Sequence, residues 1–513
     1  MASGALVALS LPPFGWWPLA WCGFAGLALL LTGARLWARL GTGLAMGAGQ
    51  YAVTLWWVNE FQPVGYAALV LMSALFVAAA AAVVAAGRFR GVALSLPGAL
   101  VLADWARDHF PLGGLPLGGT ALGQAGSPLA PVARIGGSLA VTGLAVVAGV
   151  VVAGAVVALR PLSAGWSASP SAGVPTGPGT GDMPEAVAAP SRRGAGSRAR
   201  PAAALAAAAA LAAATVGAGG ISPGGGPVVG TIRVALVQGG GPRGTRALYT
   251  DPGVVFAAHL AASAGIDPPV DLVVWPEGVL QTASDLRRSA AAAELAALAR
   301  RLGATVVAGV EQEVGATRYT NEVVAWGPDG MIVGRYEKVH RVPFGEYVPA
   351  RSLVGRFFSL KLVPRDAIAA TGPGYLRTPA GPLGVMISFE DFFDDRAGEA
   401  VRAGGQLLVV PTNTTSYANT EVPTQELAAT RLRAWETGRW AVQVAPTGYT
   451  AVVDPTGGVR SRSTLDDRTV IQAGVELRRG STVYVALGDG PVLLAAWAAI
   501  ASARWAGRRR RSS

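Results

Sequence analysis

The chain has 513 residues, of which 51% are hydrophobic and only 14% are charged, and its mean hydropathy is +0.41. An ordinary soluble domain is about 25% charged, so this composition indicates a membrane protein. The net charge of +11 does not indicate nucleic-acid binding, because the arginines cluster beside apolar segments. The single cysteine, Cys22, excludes an internal disulfide and a cysteine-based metal site, and the three histidines show no ligand spacing.

The first 160 residues consist of apolar segments separated by short polar stretches. A helix needs about 20 apolar residues to cross a bilayer. The sequence therefore predicts six transmembrane helices over residues 1–160, at 3–13, 16–32, 41–58, 65–87, 91–106 and 128–158. The first two segments are separated by Pro12 and Pro13 and are alternatively one hairpin. No basic region precedes them, so a cleavable signal peptide is not expected.

The composition then changes three times along the chain. Residues 161–200 are rich in Pro, Gly and Ser and predict a flexible cytoplasmic linker, whereas the Ala-rich residues 201–219 are long enough for a seventh helix. Residues 222–490 alternate between strand and helix patterns and predict one soluble domain. Residues 491–506 predict an eighth transmembrane helix, and 507–513 are a basic cytoplasmic tail.

Arginine clusters follow every second predicted helix: Arg35 and Arg39, Arg88 and Arg90, Arg160 with the linker arginines, and Arg508–Arg511. Basic residues in short loops favour the cytoplasmic side of a membrane. If the N-terminus is cytoplasmic, all four clusters lie inside, and both termini do as well. Residues 222–490 then lie on the outer face, and the net positive charge is mainly a topology signal.

Three segments of the predicted soluble domain end a buried strand with a polar residue. These residues are Glu277 after Leu272–Trp275, Lys338 after Gly334–Glu337, and Ser388 after Leu383–Ile387. Strand ends display the reactive groups of α/β sheets, so a carboxylate, an amine and a hydroxyl here can act as base, electrophilic stabiliser and nucleophile. Lys338 is one of two lysines among 42 basic residues. One reason to keep lysine is that it can lose its proton when desolvated, whereas arginine cannot.

The same segments carry a family resemblance. They read Trp275-Pro276-Glu277, then Tyr336-x-Lys338-x-His340 with Pro343-Phe344-Gly345-Glu346-Tyr347-Val348-Pro349, and Gly384-Val385-x-Ile387-x-Phe389-Glu390. In this order they resemble the nitrilase (carbon–nitrogen hydrolase) superfamily, and with the membrane segments they resemble the apolipoprotein N-acyltransferases. The resemblance implies a multi-span α-helical membrane domain of about eight helices plus an extracytoplasmic α/β nitrilase-like αββα sandwich.

The resemblance also implies an activity. Such proteins move an acyl chain from a phospholipid onto a nucleophile and then onto the N-terminal diacylglyceryl-cysteine of a lipoprotein. Glu277 would be the general base, Lys338 would stabilise the oxyanion, and Glu346 and Glu390 would be supporting carboxylates. The implied partners are a phospholipid donor, a diacylated lipoprotein N-terminus and the lipid bilayer, with no nucleic acid, metal or cofactor. The implied location is the cell (inner, cytoplasmic) membrane.

The sequence departs from the family at the nucleophile, because Ser388 stands where the family has cysteine. A free thiol has a pKa of about 8.5, whereas a hydroxyl is far less acidic and needs a base during attack. After Asn413 the family's Asp-Ala-Trp run is replaced by Thr414-Thr415-Ser416. Two interpretations follow. Either Ser388 is a slower nucleophile with Glu277 as its base, or the chain is a catalytically impaired paralogue that binds lipid or lipoprotein beside an active acyltransferase.

Each candidate residue also has a plain structural interpretation. Glu277 could cap a following helix, Lys338 could be a solvated strand-end lysine, and Ser388 could be an inert core hydroxyl. Glu346 could be an ion-pair partner, and Glu390 could pair with Lys338. Among other classes of protein, an anchored amidase would not need so many spans, and a transporter would leave the large outer domain unexplained. A non-enzymatic scaffold for lipoprotein processing is the serious rival.

Overall fold

The computed structural model describes residues 1–159, 209–210, 213–241, 250–283, 285–356, 359–361, 363–465 and 467–509. The predicted linker at 161–200 lies outside the described residues, and so does much of the predicted helix at 201–219, of which 213–219 belong to a helical stretch that ends at 221. The boundaries predicted for these segments therefore stay predictions.

The N-terminal part of the chain is helical. Its helices are α1 (Ala2–Ala8), α2 (Pro18–Leu31), α3 (Leu36–Thr54), α4 (Pro63–Val83), α5 (Phe89–His109) and α6 (Ala133–Leu159). Pro18 and Pro63 occupy first helical turns, where the fixed φ of proline suits a helix start. Two helical segments of the described residues are long and apolar enough to cross a membrane. They are α4, at Pro63–Val83, and α6 together with the 3-10 turn before it, at Ala130–Leu159.

Helix α6 is interrupted near its start by two glycines. Gly136 has φ −145° and ψ 25°, and Gly137 has φ +63° and ψ −165°, which is a conformation that favours glycine. A Cβ at Gly137 would lie 2.5 Å from the ring of Tyr484. The interruption therefore lets Tyr484 lie directly against the helix backbone. It also places Ser138 beside Glu436, to which the Ser138 hydroxyl donates at 2.8 Å.

In its described residues, the C-terminal part of the chain combines helices with fourteen strands. The helices are α7 (Pro252–Ala262), α8 (Ala290–Leu302), α9 (Arg351–Val354), α10 (Asp394–Arg402), α11 (Val422–Thr437), α12 (Val483–Leu487) and α13 (Gly490–Arg509). The strands are β1 (Val228–Gln238), β2 (Leu272–Val274), β3 (Leu280–Thr282), β4 (Thr305–Val314), β5 (Arg318–Trp326), β6 (Ile332–Glu337), β7 (Asp366–Ala367), β8 (Tyr375–Thr378), β9 (Gly381–Val385), β10 (Leu407–Pro411), β11 (Ala441–Val444), β12 (Ala451–Val453), β13 (Val459–Arg462) and β14 (Thr469–Arg478).

The strands form two sheets with parallel centres and antiparallel edges. The first has the order β14-β1-β2-β4-β5-β6, with β3 beside β4 and β7 beside β5, and the second has the order β13-β12-β11-β10-β9-β8. The pairs β1–β2, β2–β4, β9–β10 and β10–β11 are parallel. Such strands are covered on both faces, which explains the nearly continuous apolar runs at 272–274 and 407–411.

The two sheets pack face to face between two layers of helices. Their inner faces share one apolar cluster, in which Leu236 and Leu272 of the first sheet meet Leu383 and Val409 of the second. Leu295 and Leu298 of α8 belong to the cluster on the outer face of the first sheet. Residues of α10 and α11 belong to the cluster on the outer face of the second. The domain is the αββα sandwich that the resemblance implies.

Helix α11 lies between this sandwich and the helical part of the chain. Its residues Ala428, Ala429 and Leu432 share a cluster with Leu11 and Leu122 of the N-terminal part. The opposite face of the helix points into the sandwich, where Thr430 donates to Asp391 at 2.6 Å. Both faces are therefore buried, although the helix carries several charged side chains.

A buried ion pair at the end of α11 generates the first prediction. Arg433 is 1% exposed and pairs with the fully buried Glu436 at 3.0 Å, and its Nη2 donates to Ser138 at 2.6 Å. Replacing Arg433 with Met leaves the Glu436 carboxylate without its cation. We expect Arg433→Met to lower the free energy of unfolding by about 3–5 kcal/mol.

Thermal unfolding of the detergent-solubilised chain measures this change, with Arg300→Met on the exposed face of α8 as the control. Burial raises the pKa of Glu436 to about 8 although Arg433 opposes the shift. Without the guanidinium the pKa of Glu436 should rise further, so the deficit of the variant should grow as the pH rises above about 8, where Glu436 is ionised in the parent but still protonated in the variant. Equal melting temperatures for the two variants would contradict the importance of this pair.

Candidate active site

Glu277, Lys338 and Ser388 each lie one to three residues beyond the end of a strand. They follow β2, β6 and β9, which end at Val274, Glu337 and Val385. The segment after β10 joins the first sheet to the second at this place, because the Asn413 amide donates to the Glu277 carbonyl at 3.4 Å and Thr412 contacts Ser388 at 3.3 Å. The three predicted site residues therefore belong to one buried region.

Lys338 is the centre of this region. Its side chain is 1% exposed, and Nζ donates to Oε1 of Glu277 and to Oε1 of Glu346, both at 2.8 Å. The Nδ2 group of Asn321 donates to the same two oxygens, also at 2.8 Å. One ammonium and one amide are thus shared between two carboxylates. We call Glu277, Asn321, Lys338 and Glu346 the lysine cluster.

The lysine cluster keeps its amine protonated. Burial alone lowers the pKa of Lys338, but the carboxylates of Glu277 and Glu346 outweigh burial and raise it above its ordinary value. The idea that lysine stands here because it can lose its proton is therefore wrong. Lysine suits the site for a different reason, because its compact ammonium donates to both carboxylates from a single nitrogen.

Glu277 depends on its immediate neighbours in two ways. Burial raises the pKa of its carboxyl, and the charge of Lys338 opposes that shift. The next residue, Gly278, has φ +66°, and a Cβ there would lie 2.9 Å from Oε1 of Glu311. Glycine at this position thus turns the chain sharply after Glu277. A short strand, β3, begins at Leu280, so the cap of a following helix is not the role of Glu277.

Ser388 lies on a strained turn. It has φ +50°, which is unusual for a residue other than glycine, and it opens a 3-10 turn, Ser388–Phe392, directly after β9. Such a backbone conformation costs of order 1–3 kcal/mol and persists only where surrounding contacts impose it. A strand followed by a sharp turn is also how α/β hydrolases project a nucleophilic side chain from a sheet.

Glu390 supplies the contacts that hold this turn. The carboxylate is fully buried and accepts from the Tyr336 hydroxyl at 2.8 and 2.9 Å and from the backbone N–H groups of Val339, His340 and Ile387 at 2.8, 3.2 and 2.8 Å. It does not pair with Lys338, so that interpretation is wrong. Glu390 instead joins the segment after β6 to the turn that carries Ser388.

Glu346 is both a partner of Lys338 and a brace for its own loop. Its second oxygen accepts from the backbone N–H of Val342 at 2.7 Å, while Oε1 accepts from Lys338. The side chain is 14% exposed, which makes it the most accessible charged group of the lysine cluster. Glu346 is therefore an ion-pair partner, as the plain structural interpretation expected, and its partner is Lys338 at the centre of the candidate site.

The sequence did not point to Asn321 as a site residue. A signal existed, because the turn at Gly327–Gly330 joins β5 and β6 as a hairpin whose register pairs Glu322 with Glu337. One further step places Asn321 beside Lys338, and the Lys338 N–H donates to the Asn321 carbonyl at 2.8 Å. Counting back from the turn alone gives Thr320, because a bulge at Ala325 and Trp326 shifts the register by one residue, so the sequence indicates only the neighbourhood of Asn321.

Thr412 and Glu426 were also missed. The Ser388 hydroxyl lies 3.4 Å from Oε1 of Glu426, and Thr412 donates to that same oxygen. Glu426 is 1% exposed, and burial raises the pKa of its carboxyl to about 8. No pattern in the sequence distinguishes it, because a glutamate in a helix is ordinary and only the packing of α11 against the site buries it.

The side of the site that faces the helical part of the chain is aromatic. The ring of Tyr417, in the loop after β10, lies 4.9 Å from Trp57 and 5.1 Å from Phe61, which belong to the connection between α3 and α4. The Tyr347 hydroxyl donates to the Leu112 carbonyl at 3.2 Å. The loops of the two parts of the chain thus meet beside the lysine cluster.

Two family models match the chain. Residues 233–483 match the carbon–nitrogen hydrolases, and residues 3–151 match the N-terminal domain of apolipoprotein N-acyltransferases. Among curated relatives, the apolipoprotein N-acyltransferase of Geobacter metallireducens is 33% identical over 53% of this chain and 52% of its own length. That of Mycolicibacterium smegmatis is 31% identical over 45% and 41%. The chain thus spans about half the length of the curated relatives it matches.

Solved structures of the nitrilase superfamily are also similar. Nit3 of Saccharomyces cerevisiae covers 48% of this chain and 91% of its own, with a TM-score of 0.35 and 19% identity. An amidase from Nesterenkonia sp. covers 52% and 97%, with the same TM-score and identity.

The contacts of Glu390 generate a prediction for this site. Glu390→Ala leaves three backbone N–H groups and one hydroxyl without their acceptor, so we expect the free energy of unfolding to fall by about 3 kcal/mol or more. Glu399→Ala is the matched control, since Glu399 is 40% exposed. Thermal unfolding in detergent compares the two variants. A Glu390→Ala variant as stable as the control would show that the Ser388–Phe392 turn forms without the contacts of Glu390.

Proposed function

The chain belongs to the apolipoprotein N-acyltransferase family within the carbon–nitrogen hydrolases, and on that premise we propose that it is an acyltransferase. It moves an acyl chain from a phospholipid to the α-amino group of a lipoprotein's N-terminal diacylglyceryl-cysteine, through an acyl-enzyme on Ser388. The observation that carries this proposal is the lysine cluster, whose buried ammonium belongs to the same buried region as a serine on a strained turn.

The lysine cluster suits the charge that develops in acyl transfer. When Ser388 Oγ attacks the ester carbonyl carbon, the carbonyl oxygen becomes negative, and the ammonium of Lys338 stabilises it. Glu277, Glu346 and Asn321 fix that ammonium before the reaction begins, so little reorganisation is needed at the transition state. In the family's mechanism Glu277 is the general base that receives the nucleophile's proton.

Exposed apolar side chains on the helices support a multi-pass membrane location. Large exposed apolar residues occur on five of the described helices: Leu30, Trp37, Leu71, Leu75, Leu94, Leu494, Trp497 and Trp505. Monomeric proteins in water rarely expose large apolar patches. A lipid-facing surface explains these side chains, and the chain then lies in the cell membrane with α3, α4, α5, α6 and α13 as spans and with the short helices α1 and α2 as one hairpin.

The ends of the helices support the proposed orientation. Arg39 donates to the Val84 carbonyl, and Arg504 Nη2 donates to the Val83 carbonyl at 2.9 Å. Arg88 and Arg90 follow Val84 closely in the chain, so three basic segments gather at one end of the helices. The loops that contact the α/β domain, at Trp57 and Leu112, belong to the other ends of α3 and α5. With the basic end in the cytoplasm, residues 222–490 lie on the outer face.

The aromatic side of the site supports a lipid substrate. Trp57, Phe61 and Tyr417 bring apolar surface from the helical part of the chain to the edge of the lysine cluster. An acyl chain that enters from the bilayer would meet this surface before its ester reaches Ser388. A water-soluble amide would have no use for it, so the aromatic contact favours the acyltransferase over an anchored amidase.

One observation favours the alternative function. Ser388 replaces the family's thiol, and an acyl-serine is an ordinary ester, which is less reactive toward an amine than a thioester is. In that alternative the chain is a catalytically impaired paralogue that binds lipid or lipoprotein as the partner of an active acyltransferase.

Substitution of the nucleophile separates the two functions. Membranes that contain the chain, a phospholipid donor and a diacylated lipoprotein peptide should yield the triacylated peptide, which mass spectrometry detects. Ser388→Ala should yield none, and Ser388→Cys should raise the rate by about tenfold or more because the thiolate is the stronger nucleophile. No product from either the parent or Ser388→Cys would favour the impaired paralogue. A Ser388→Ala variant as active as the parent would remove Ser388 from the mechanism.

The two lysines of the chain make a matched pair for a second test. Lys338→Met removes the buried ammonium, so we expect acyl-enzyme formation to slow by about 100- to 1,000-fold. Lys361→Met removes an exposed ammonium and should leave the rate unchanged. Quenched-flow measurement of lysophospholipid release reports this step alone. A Lys338→Met rate within a factor of about three of the control would exclude Lys338 as the oxyanion stabiliser.

A further inference from the structure

We propose that Glu426 is the catalytic residue that accepts the proton of Ser388, in place of Glu277. This inference rests on the proposed acyl transfer and deepens it, because it assigns the proton transfer to a residue outside the three strand-end motifs.

The hydroxyl of Ser388 lies beside Glu426. Among the described residues, its hydrogen-bonding neighbours are Glu426 Oε1 at 3.4 Å and Thr412 Oγ1 at 3.3 Å, and Glu277 is not one of them. When Glu426 is ionised, Ser388 and Thr412 can both donate to its Oε1 atom, so a proton acceptor lies beside the serine before any substrate binds.

Glu277 is already engaged. Its Oε1 accepts from both Lys338 and Asn321 at 2.8 Å. A carboxylate that neutralises an ammonium at contact distance is a weaker proton acceptor than one with no cation beside it. Proton transfer to Glu277 would also weaken the contact that holds Lys338 in place for the oxyanion. The lysine cluster is therefore suited to hold the positive charge that stabilises the oxyanion, and a separate base is needed to accept the proton of Ser388.

Glu426 has the environment of a base. Its Oε2 atom is buried and has no hydrogen-bond partner within the described part of the chain, and its Oε1 atom meets only hydroxyl groups. The charged groups that face it are Asp391, from the turn that carries Ser388, and Glu277 and Lys338 from the lysine cluster. Burying a carboxyl group with one free oxygen costs stability, and a structural role alone does not explain that cost.

The acidity of Glu426 fits this role. Burial raises the pKa of its carboxyl to about 8. A general base works best when its pKa lies near the operating pH, because it then combines a useful ionised fraction with a strong affinity for the proton. A serine needs such help more than a cysteine does, because its hydroxyl does not ionise on its own at neutral pH.

The proposed step balances as follows. Ser388 Oγ forms a bond to the ester carbonyl carbon of the phospholipid, and its proton moves to the Glu426 carboxylate. The bond from that carbon to the glycerol oxygen then breaks, and Glu426 returns the proton to the departing oxygen, which gives a lysophospholipid. In the second half, the amine attacks the acyl-serine, Glu426 takes the amine proton, and Ser388 Oγ leaves and regains it.

A double-substitution experiment tests the assignment. The full chain, in vesicles of phosphatidylethanolamine with a diacylated lipoprotein peptide, carries Glu426→Gln with either Ser388 or Ser388→Cys. Glutamine keeps the shape of the side chain and can accept from Thr412. We expect Glu426→Gln to slow lysophospholipid release by about 100-fold or more with serine, because that is the usual contribution of a general base. With cysteine the loss should be less than about tenfold, because a thiol ionises readily.

Two controls accompany the pair. Glu421→Gln, at the start of α11, removes a partly buried carboxyl that does not contact Ser388 and should leave both rates unchanged. The pH profile is the second control. Ionised Glu426 is required, so the rate of the serine enzyme should rise as the pH passes upward through about 8. This rise should disappear in Glu426→Gln.

The outcomes separate this inference from the function on which it rests. Equal losses with serine and with cysteine would mean that Glu426 only shapes the site, and an undiminished rate in Glu426→Gln would remove it from the mechanism; in both cases acyl transfer still stands. Activity in Ser388→Cys but none in the parent would likewise overturn the serine–glutamate pair. No acyl-enzyme in either background would overturn the acyltransferase and this inference together.

Discussion

The site depends on one electrostatic constraint, the burial of a single ammonium ion. Lys338 is almost completely removed from water, and only the carboxylates of Glu277 and Glu346 at 2.8 Å offset the cost of its desolvation. The three side chains come from separate segments of the first sheet and its loops. The ion pairs form only if the strands and loops of this sheet are aligned so that the three side chains meet. The turn after Glu277, the brace from Glu346 to Val342 and the β5–β6 hairpin all serve that condition. On the proposed function, the ion that stabilises the transition state is thus also a folding constraint.

The sequence was most informative where chemistry and local structure coincide. Glu277 and Ser388 could be proposed because each follows a buried apolar strand, and the αββα layers followed from the family that these segments resemble. The expectation of a buried strand before Lys338 was wrong, because β6 is mostly exposed or half-buried, so Lys338 stood out by the motif around it alone. The role of Glu390 could not be predicted, because two of the backbone N–H groups that donate to it, those of Val339 and His340, lie about fifty residues away in the chain, and only the packing of the two sheets brings them together. Glu426 could not be identified as a site residue from the sequence for a related reason. Its burial is decided by what packs against α11 on both sides, and a single helix pattern does not record that.

Helix α11 joins the two halves of the molecule more closely than the chain order suggests. One face shares an apolar cluster with residues of the N-terminal part, and the other carries Glu426 to Ser388 and Thr430 to Asp391. The same helix ends at the Arg433–Glu436 pair, which reaches Ser138 beside the interruption of α6. A displacement of the helical part of the chain would therefore move a proton acceptor relative to its serine. The reactivity of the Ser388 hydroxyl therefore depends on how the other face of α11 packs against the N-terminal part of the chain, although that face does not contact Ser388.

The two glycines that interrupt α6 have a consequence for substrate choice. Tyr484 rests on the backbone of Gly137, and Ser138 is bonded to Glu436, so the sandwich is fixed at a set height above the helices. On the proposed function, that height sets a fixed distance between Ser388 and the bilayer. Every lipid would present its ester to Ser388 at the same depth, whatever its headgroup. Selection would then follow the vertical position of the reacting bond in the membrane, and a thicker or thinner bilayer would change which lipids reach the nucleophile.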